Sequence, residues 1–168
     1  MEIQDLLNKL GGQIKTPIRL YLIGGSALAL LGSPRQTIDI DFIGNDILPT
    51  SEHEALLKTA KELDILLEPV PLEQFIPLPE NSDKRSIRIG KFNNLEIYVA
   101  DPYSIALGKL DRGFDTDIED IIFLLQKHYI EIEKLNLITE TALSQANKYD
   151  LNATEILDHL QVVRERLK

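Results

Sequence analysis

The chain has 168 residues, 43% of them hydrophobic and 27% charged, with a net charge of −9 and no cysteine. This balance describes one globular domain able to bury its own core, and it excludes a disordered or fibrous chain. The lack of cysteine excludes disulfides, thiolate zinc sites and cysteine nucleophiles, and the acidic charge excludes a broad non-specific grip on nucleic acid, so a polynucleotide partner requires a local basic patch.

In chain order, the opening MEIQDLLNKLGG reads as a short amphipathic helix and not as a secretory leader. No apolar run approaches membrane-spanning length, and a cytoplasmic location is the expectation. Ile18 to Ile23 (IRLYLI) is short, apolar and β-prone, a largely buried strand that ends in a turn at Gly24 and Gly25. Ser26 then caps a short helix closed by Gly32. Thr37 to Ile43 (TIDIDFI) has the period-two pattern of a strand, with Asp39 and Asp41 together on the face opposite Ile38, Ile40 and Phe42.

Ser51 and Glu54 form a capping box that opens a helix running to about Leu67, followed by a surface loop rich in proline at Pro69, Pro71, Pro77 and Pro79. Ser86 to Phe92 and Leu95 to Val99 predict an antiparallel hairpin turning at Asn93 and Asn94. From Asp101 and Pro102 onward the pattern is helical, with further starts at Thr116 with Glu119 and at Asn152 with Glu155. Leu143, Ile156, Leu157 and Leu160 are expected to pack inward. The expected fold class is α+β: a mixed β-sheet flanked by helices over residues 1–128, with a helical extension over 129–168.

The Asp39–Asp41 pair carries the chemistry. Two carboxylates two residues apart on a strand share a face, roughly 6.5 to 7 Å apart at Cα, so their oxygens can converge on magnesium or manganese. Nucleotidyl transfer needs such an arrangement, because the cation neutralises the triphosphate and stabilises the pyrophosphate leaving group. The bland alternative is the solvated face of an edge strand. A second Asp-x-Asp, Asp115 and Asp117, lies in a helical context where the carboxylates diverge, and Asp115 reads as a solvated or capping residue. Gly24 and Gly25 leave room for a phosphate, and Ser26 with the helix amino terminus offers donors for anionic oxygens. Neither a dinucleotide fingerprint nor a P-loop fits GGSALALLG. His53, His128 and His159 are too widely spaced for a metal site.

The string YLIGGSALALLGSPRQTIDIDF, residues 21–42, resembles the signature of the DNA polymerase beta-like nucleotidyltransferase superfamily. It is similar in particular to small members related to AbiEii-type toxins. Downstream, DPYSIALGKLDRGFDTDIEDIIFLL looks like that group's second signature, matched by Lys109, Arg112, Asp117 and Asp120. The resemblance implies a nucleotidyltransferase fold in which Gly24, Gly25 and Ser26 contact the triphosphate and Asp39 and Asp41 bind the metal. It further implies that Arg35 stabilises the turn or a phosphate, that Lys109 and Arg112 approach the nucleotide, and that Asp117 positions Lys109, Arg112 or the acceptor, or serves as a general base. The third metal ligand is expected at Glu96 in the strand LEIYV, with Asp101 as the alternate and helix capping as its bland reading. Lys109 and Arg112 also read as members of a salt-bridged helix face.

Two functions follow. One is a metal-dependent transferase moving a nucleoside monophosphate from a nucleoside triphosphate to a hydroxyl on RNA, protein or a small molecule, with a link to toxin–antitoxin systems through the resemblance. The basic residues Lys84, Arg85, Arg88 and Lys91 supply a local patch for such an RNA, or a charged edge strand that discourages aggregation. The other is a non-catalytic binding module that keeps the fold and acts through a cognate protein partner.

Overall fold

The computed structural model describes residues 2–168. By contacts the chain forms two compact units, one through Pro71 with Ser86–Ala100, the other Leu72–Arg85 with Asp101–Lys168. The expected extension 129–168 lies wholly within the second unit.

The first unit is built on a five-stranded mixed sheet. Its elements are α1 (Ile3–Gly12), β1 (Ile18–Ile23), α2 (Gly24–Leu30), β2 (Asp39–Ile43), α3 (Ser51–Glu62), β3 (Leu66–Val70), β4 (Ile87–Phe92) and β5 (Leu95–Val99). The strand order is β3-β2-β1-β5-β4. β1 runs antiparallel to β2 and parallel to β5, β2 runs parallel to β3, and β4 and β5 form the expected antiparallel hairpin, with Asn93 at φ +54° in its turn. Alternation sorts the side chains into two faces. Leu20, Leu22, Ile40, Phe42, Leu67, Leu95, Ile97 and Val99 form a buried apolar layer, against which α1 and α2 pack. The register puts Arg19, Tyr21, Asp41, Glu68, Glu96 and Tyr98 together on the opposite face.

The second unit is helical: α4 (Leu72–Phe75), a short 3-10 turn at Ser82–Arg85, α5 (Pro102–Arg112), α6 (Asp115–Gln126), α7 (Ile132–Leu143), α8 (Ala146–Tyr149) and α9 (Ala153–Arg166). Its core includes Leu107, Leu110, Ile121, Leu124, Leu135, Ile156, Leu160 and Val163. Leu157 departs from the expectation and remains 47% exposed. The α+β fold, the mixed sheet and the helical carboxy-terminal region therefore follow the sequence.

Four local expectations are corrected. α3 stops at Glu62 because Asp64 adopts φ +56°. The amides of Asp64 and Ile65 then bond the carbonyls of Lys61 and Ala60 at 3.2 and 2.9 Å, closing a left-handed helix end. The chain beyond is strand β3, not helix and loop. Pro69 is accommodated because β3 is an edge strand, where a missing amide donor is tolerated. Thr50, not Ser51, caps α3 by accepting from the His53 amide at 3.2 Å. α2 begins at Gly24, so Ser26 lies inside its first turn and caps nothing. α6 begins at Asp115, one residue before the expected Thr116 cap. Asn152 caps α9 as expected, accepting from the Glu155 amide at 3.0 Å.

Candidate functional site

In the first unit the predicted residues gather at the end of β1. Gly24 follows the strand directly and has φ +71°, a conformation that L side chains rarely adopt. A Cβ added there would lie 2.8 Å from Oδ2 of Asp41, so the turn backbone and the Asp41 carboxylate approach as closely as glycine permits. At Gly25 an added Cβ would meet an Arg35 guanidinium nitrogen at 3.2 Å and the Thr37 side chain at 3.3 Å. A carboxylate therefore stands beside one glycine and a guanidinium beside the next. Arg35 and Thr37 also line a cleft of about 400 Å³, with Ser33 and Gln36, a size within the range of small-ligand sites.

Asp39 and Asp41 lie on β2 as expected, Asp39 exposed and Asp41 half-buried. The edge-strand reading of the pair fails, since β2 is held between β1 and β3. Ser26 is brought to the turn, but its buried hydroxyl donates back to the carbonyl of Ile23, the last residue of β1, at 3.3 Å.

Glu96 is not brought to the aspartates. Asp41 pairs with Ile23 and Glu96 with Arg19, which separates them by four residues of β1, about 13 Å along the strand. The Glu96 carboxylate accepts from the Tyr98 hydroxyl at 2.8 Å and pairs with Arg19 and Arg88 at 3.5 and 3.6 Å. The Tyr98 hydrogen bond, against a smaller opposing effect of desolvation and helped by the two arginines, holds its carboxyl below the ordinary range. Asp101 takes the capping role: it accepts from the amides of Tyr103 and Ser104 at 3.1 and 3.2 Å and from the Arg85 guanidinium at 2.9 and 2.8 Å.

The residue that sequence reasoning missed is Glu68. It is the register partner of Asp41 on parallel β3, exposed and on the same face. Its signal was the alternation in Ile65-Leu-Leu-Glu68, buried at Ile65 and Leu67 and open between; the neighbouring prolines masked it. Asp39, Asp41 and Glu68 present hard carboxylate oxygens, the donor type that divalent cations take, on one face of the sheet next to the Gly24 turn. Among the described residues no three such side chains are drawn together as a metal cluster.

In the second unit, Lys109, Arg112, Asp117 and Asp120 form one network. Lys109 Nζ donates to Asp120 at 2.7 Å and lies 3.6 Å from Asp117, with all three side chains buried. Arg112 holds both oxygens of Asp117 at 2.7 Å, and the Phe114 amide adds a third donor at 3.1 Å. Burial alone would raise the Asp117 carboxyl. The Arg112 hydrogen bonds, the Lys109 charge and the Phe114 amide outweigh it and hold the group below the ordinary carboxylate range. That direction is opposite to what a general base requires, whereas positioning Lys109 and Arg112 is what these contacts accomplish.

The basic patch expected at Lys84, Arg85, Arg88 and Lys91 divides between the two units. Arg85 is committed to Asp101, while Arg88 and Lys91 stand on β4 opposite Tyr98 and Glu96. Among the described residues no helix is long and apolar enough to cross a membrane.

A family model described as "Nucleotidyltransferase of unknown function (DUF6036)" matches residues 1–167. No curated protein and no solved structure matches the chain significantly.

Proposed function

The chain belongs to this nucleotidyltransferase family, and from that premise we propose that it transfers a nucleoside monophosphate from a nucleoside triphosphate to an acceptor hydroxyl. The acceptor oxygen bonds to the α-phosphorus, the bond to the bridging oxygen breaks, pyrophosphate leaves, and the hydroxyl proton passes to solvent. The observation that carries this reading is the approach of Gly24 to Asp41, which leaves a side-chain-free turn beside a carboxylate.

Asp39, Asp41 and Glu68 would hold magnesium or manganese. When bound, such a cation neutralises the triphosphate and stabilises the pyrophosphate leaving group. Gly24 and Gly25 let phosphate oxygens reach the backbone, and Arg35 brings a cationic group to the same turn. The Ser26 hydroxyl, already bonded to Ile23, is not needed. The resemblance to AbiEii-type toxins extends the acceptor to RNA or protein and suggests a role in a paired toxin–antitoxin system.

The test is transfer of label from α-phosphate-labelled ATP, CTP, GTP and UTP, with magnesium, to cellular RNA and protein. Transfer by the wild type, lost in Asp39→Asn and Asp41→Asn and reduced more by Glu68→Gln than by Glu96→Gln, supports the reading. The second reading, a non-catalytic binding module, draws support from the inward-turned Ser26 hydroxyl. It predicts no transfer, and cellular function that survives both aspartate substitutions.

A further inference from the structure

On the face of the sheet that carries Asp41, a strip of side chains runs back along β1 and β5. Tyr21 and Tyr98 are register partners and stack with ring centroids 5.0 Å apart at 28°. Tyr21 is two residues from Ile23, the partner of Asp41, a separation of about 7 Å. Two residues further back, the Arg19 guanidinium lies 5.1 Å from the Tyr98 ring centroid. Arg88 and Lys91 flank the strip from β4. The side chains of Arg19 and Arg88 are 54% and 55% exposed.

None of these groups is needed to hold a cation or a triphosphate at Gly24 and Asp41. They are also poorly explained as core, because the apolar layer of the sheet is its other face. Glu96 sits between the two arginines and accepts from the Tyr98 hydroxyl, which fixes cations and rings in one arrangement. Three cations against one carboxylate make the strip locally basic in a chain of net charge −9.

We propose that the Tyr21–Tyr98 pair, with Arg19 and Arg88, is the acceptor site and that the acceptor is a single-stranded nucleic acid. Aromatic rings flanked by cations are what unpaired bases and their phosphates require: each base stacks regardless of its identity, and the guanidinium groups meet the backbone. A strand laid along this strip presents its terminal hydroxyl toward Asp41, two residues beyond the stacked rings. The inference rests on the transferase reading for that direction of approach, but the binding itself does not.

The experiment is fluorescence anisotropy of a labelled 12-nucleotide RNA with the full chain, alongside calorimetry of magnesium–triphosphate on the same samples. The wild type is expected to bind the RNA with salt-dependent affinity. Tyr21→Ala with Tyr98→Ala should weaken it at least about tenfold, as loss of base stacking predicts. Tyr98→Phe, which keeps the ring, should stay within about twofold on the same principle. Arg19→Gln with Arg88→Gln should lower the slope of log affinity against log salt by about 1.4, from two phosphate contacts to a single strand. Should the double alanine variant fail to fold, Tyr98→Leu retains apolar bulk and tests stacking alone. RNA binding without triphosphate binding would uphold this site and remove the transferase reading. Triphosphate binding without RNA binding, or RNA affinity indifferent to loss of the rings, overturns the site.

Discussion

The chain spells Asp-x-Asp twice, and the two copies end in opposite environments. On strand β2, Asp39 and Asp41 share one face, and Asp41 stands beside a glycine turn. On helix α6, two residues turn the side chain through about 200°: the Asp115 side chain is 92% exposed, while that of Asp117 is completely buried under Arg112 and Lys109. Backbone periodicity therefore decides whether a pair of carboxylates can serve one cation or is divided between solvent and an internal ion network. The helical copy is satisfied by protein cations that the chain itself provides. The strand copy instead stands on an open β face, with Asp39 exposed and Asp41 half-buried against the Gly24 turn.

The comparison breaks most visibly at Asp117. Asp117→Asn removes a buried carboxylate from two cations and should destabilise the protein by about 3–5 kcal/mol, read by urea unfolding. The same residue sets an acid limit. Its carboxyl is depressed in the folded state, so its contribution is complete above the unfolded value of about 4 and is lost as pH falls from there through the lower folded value. Unfolding curves from pH 7 to pH 3 should show that loss in the wild type and less of it in Asp117→Asn.

On the strand side, Gly24→Ala forces an alanine into positive φ and toward Asp41. We expect a stability cost of about 1–2 kcal/mol, together with loss of magnesium-dependent triphosphate binding in calorimetry. The smallest effect belongs to Asp115→Asn, whose exposed side chain pairs with Arg166 at 3.8 Å. Its unfolding midpoint should move by less than the equivalent of about 0.5 kcal/mol. A large shift there would mean that the helical copy is not divided as described.

Much of this contrast was legible in the sequence, because alternation and helical context are local. β1, β5 and the Asp39–Asp41 face follow from short patterns, whereas the grouping of Lys109 with Asp117 and Asp120 was implied by the resemblance of the segment to a family signature. What was hidden depends on register and on chain reversal. β3 was concealed because the end of α3 rests on Asp64, a residue that only sometimes adopts the left-handed conformation, and because Pro69 and Pro71 resemble loop punctuation. With β3 went Glu68. Glu96 was favoured because its strand was evident, yet only the pairing of Glu96 with Arg19 and of Asp41 with Ile23 reveals the distance between them. The start of α2 was placed too late, so Ser26 lies inside the first turn instead of capping it, and its hydroxyl donates to Ile23.

The most direct test of the central claim is calorimetric titration of magnesium with each of the four nucleoside triphosphates into the wild type and into a double Asp39→Asn, Asp41→Asn variant. The account predicts binding of at least one triphosphate that requires magnesium and is lost in the variant while its unfolding transition is retained. Equal binding by both proteins, or no binding of any triphosphate by the wild type, would contradict it.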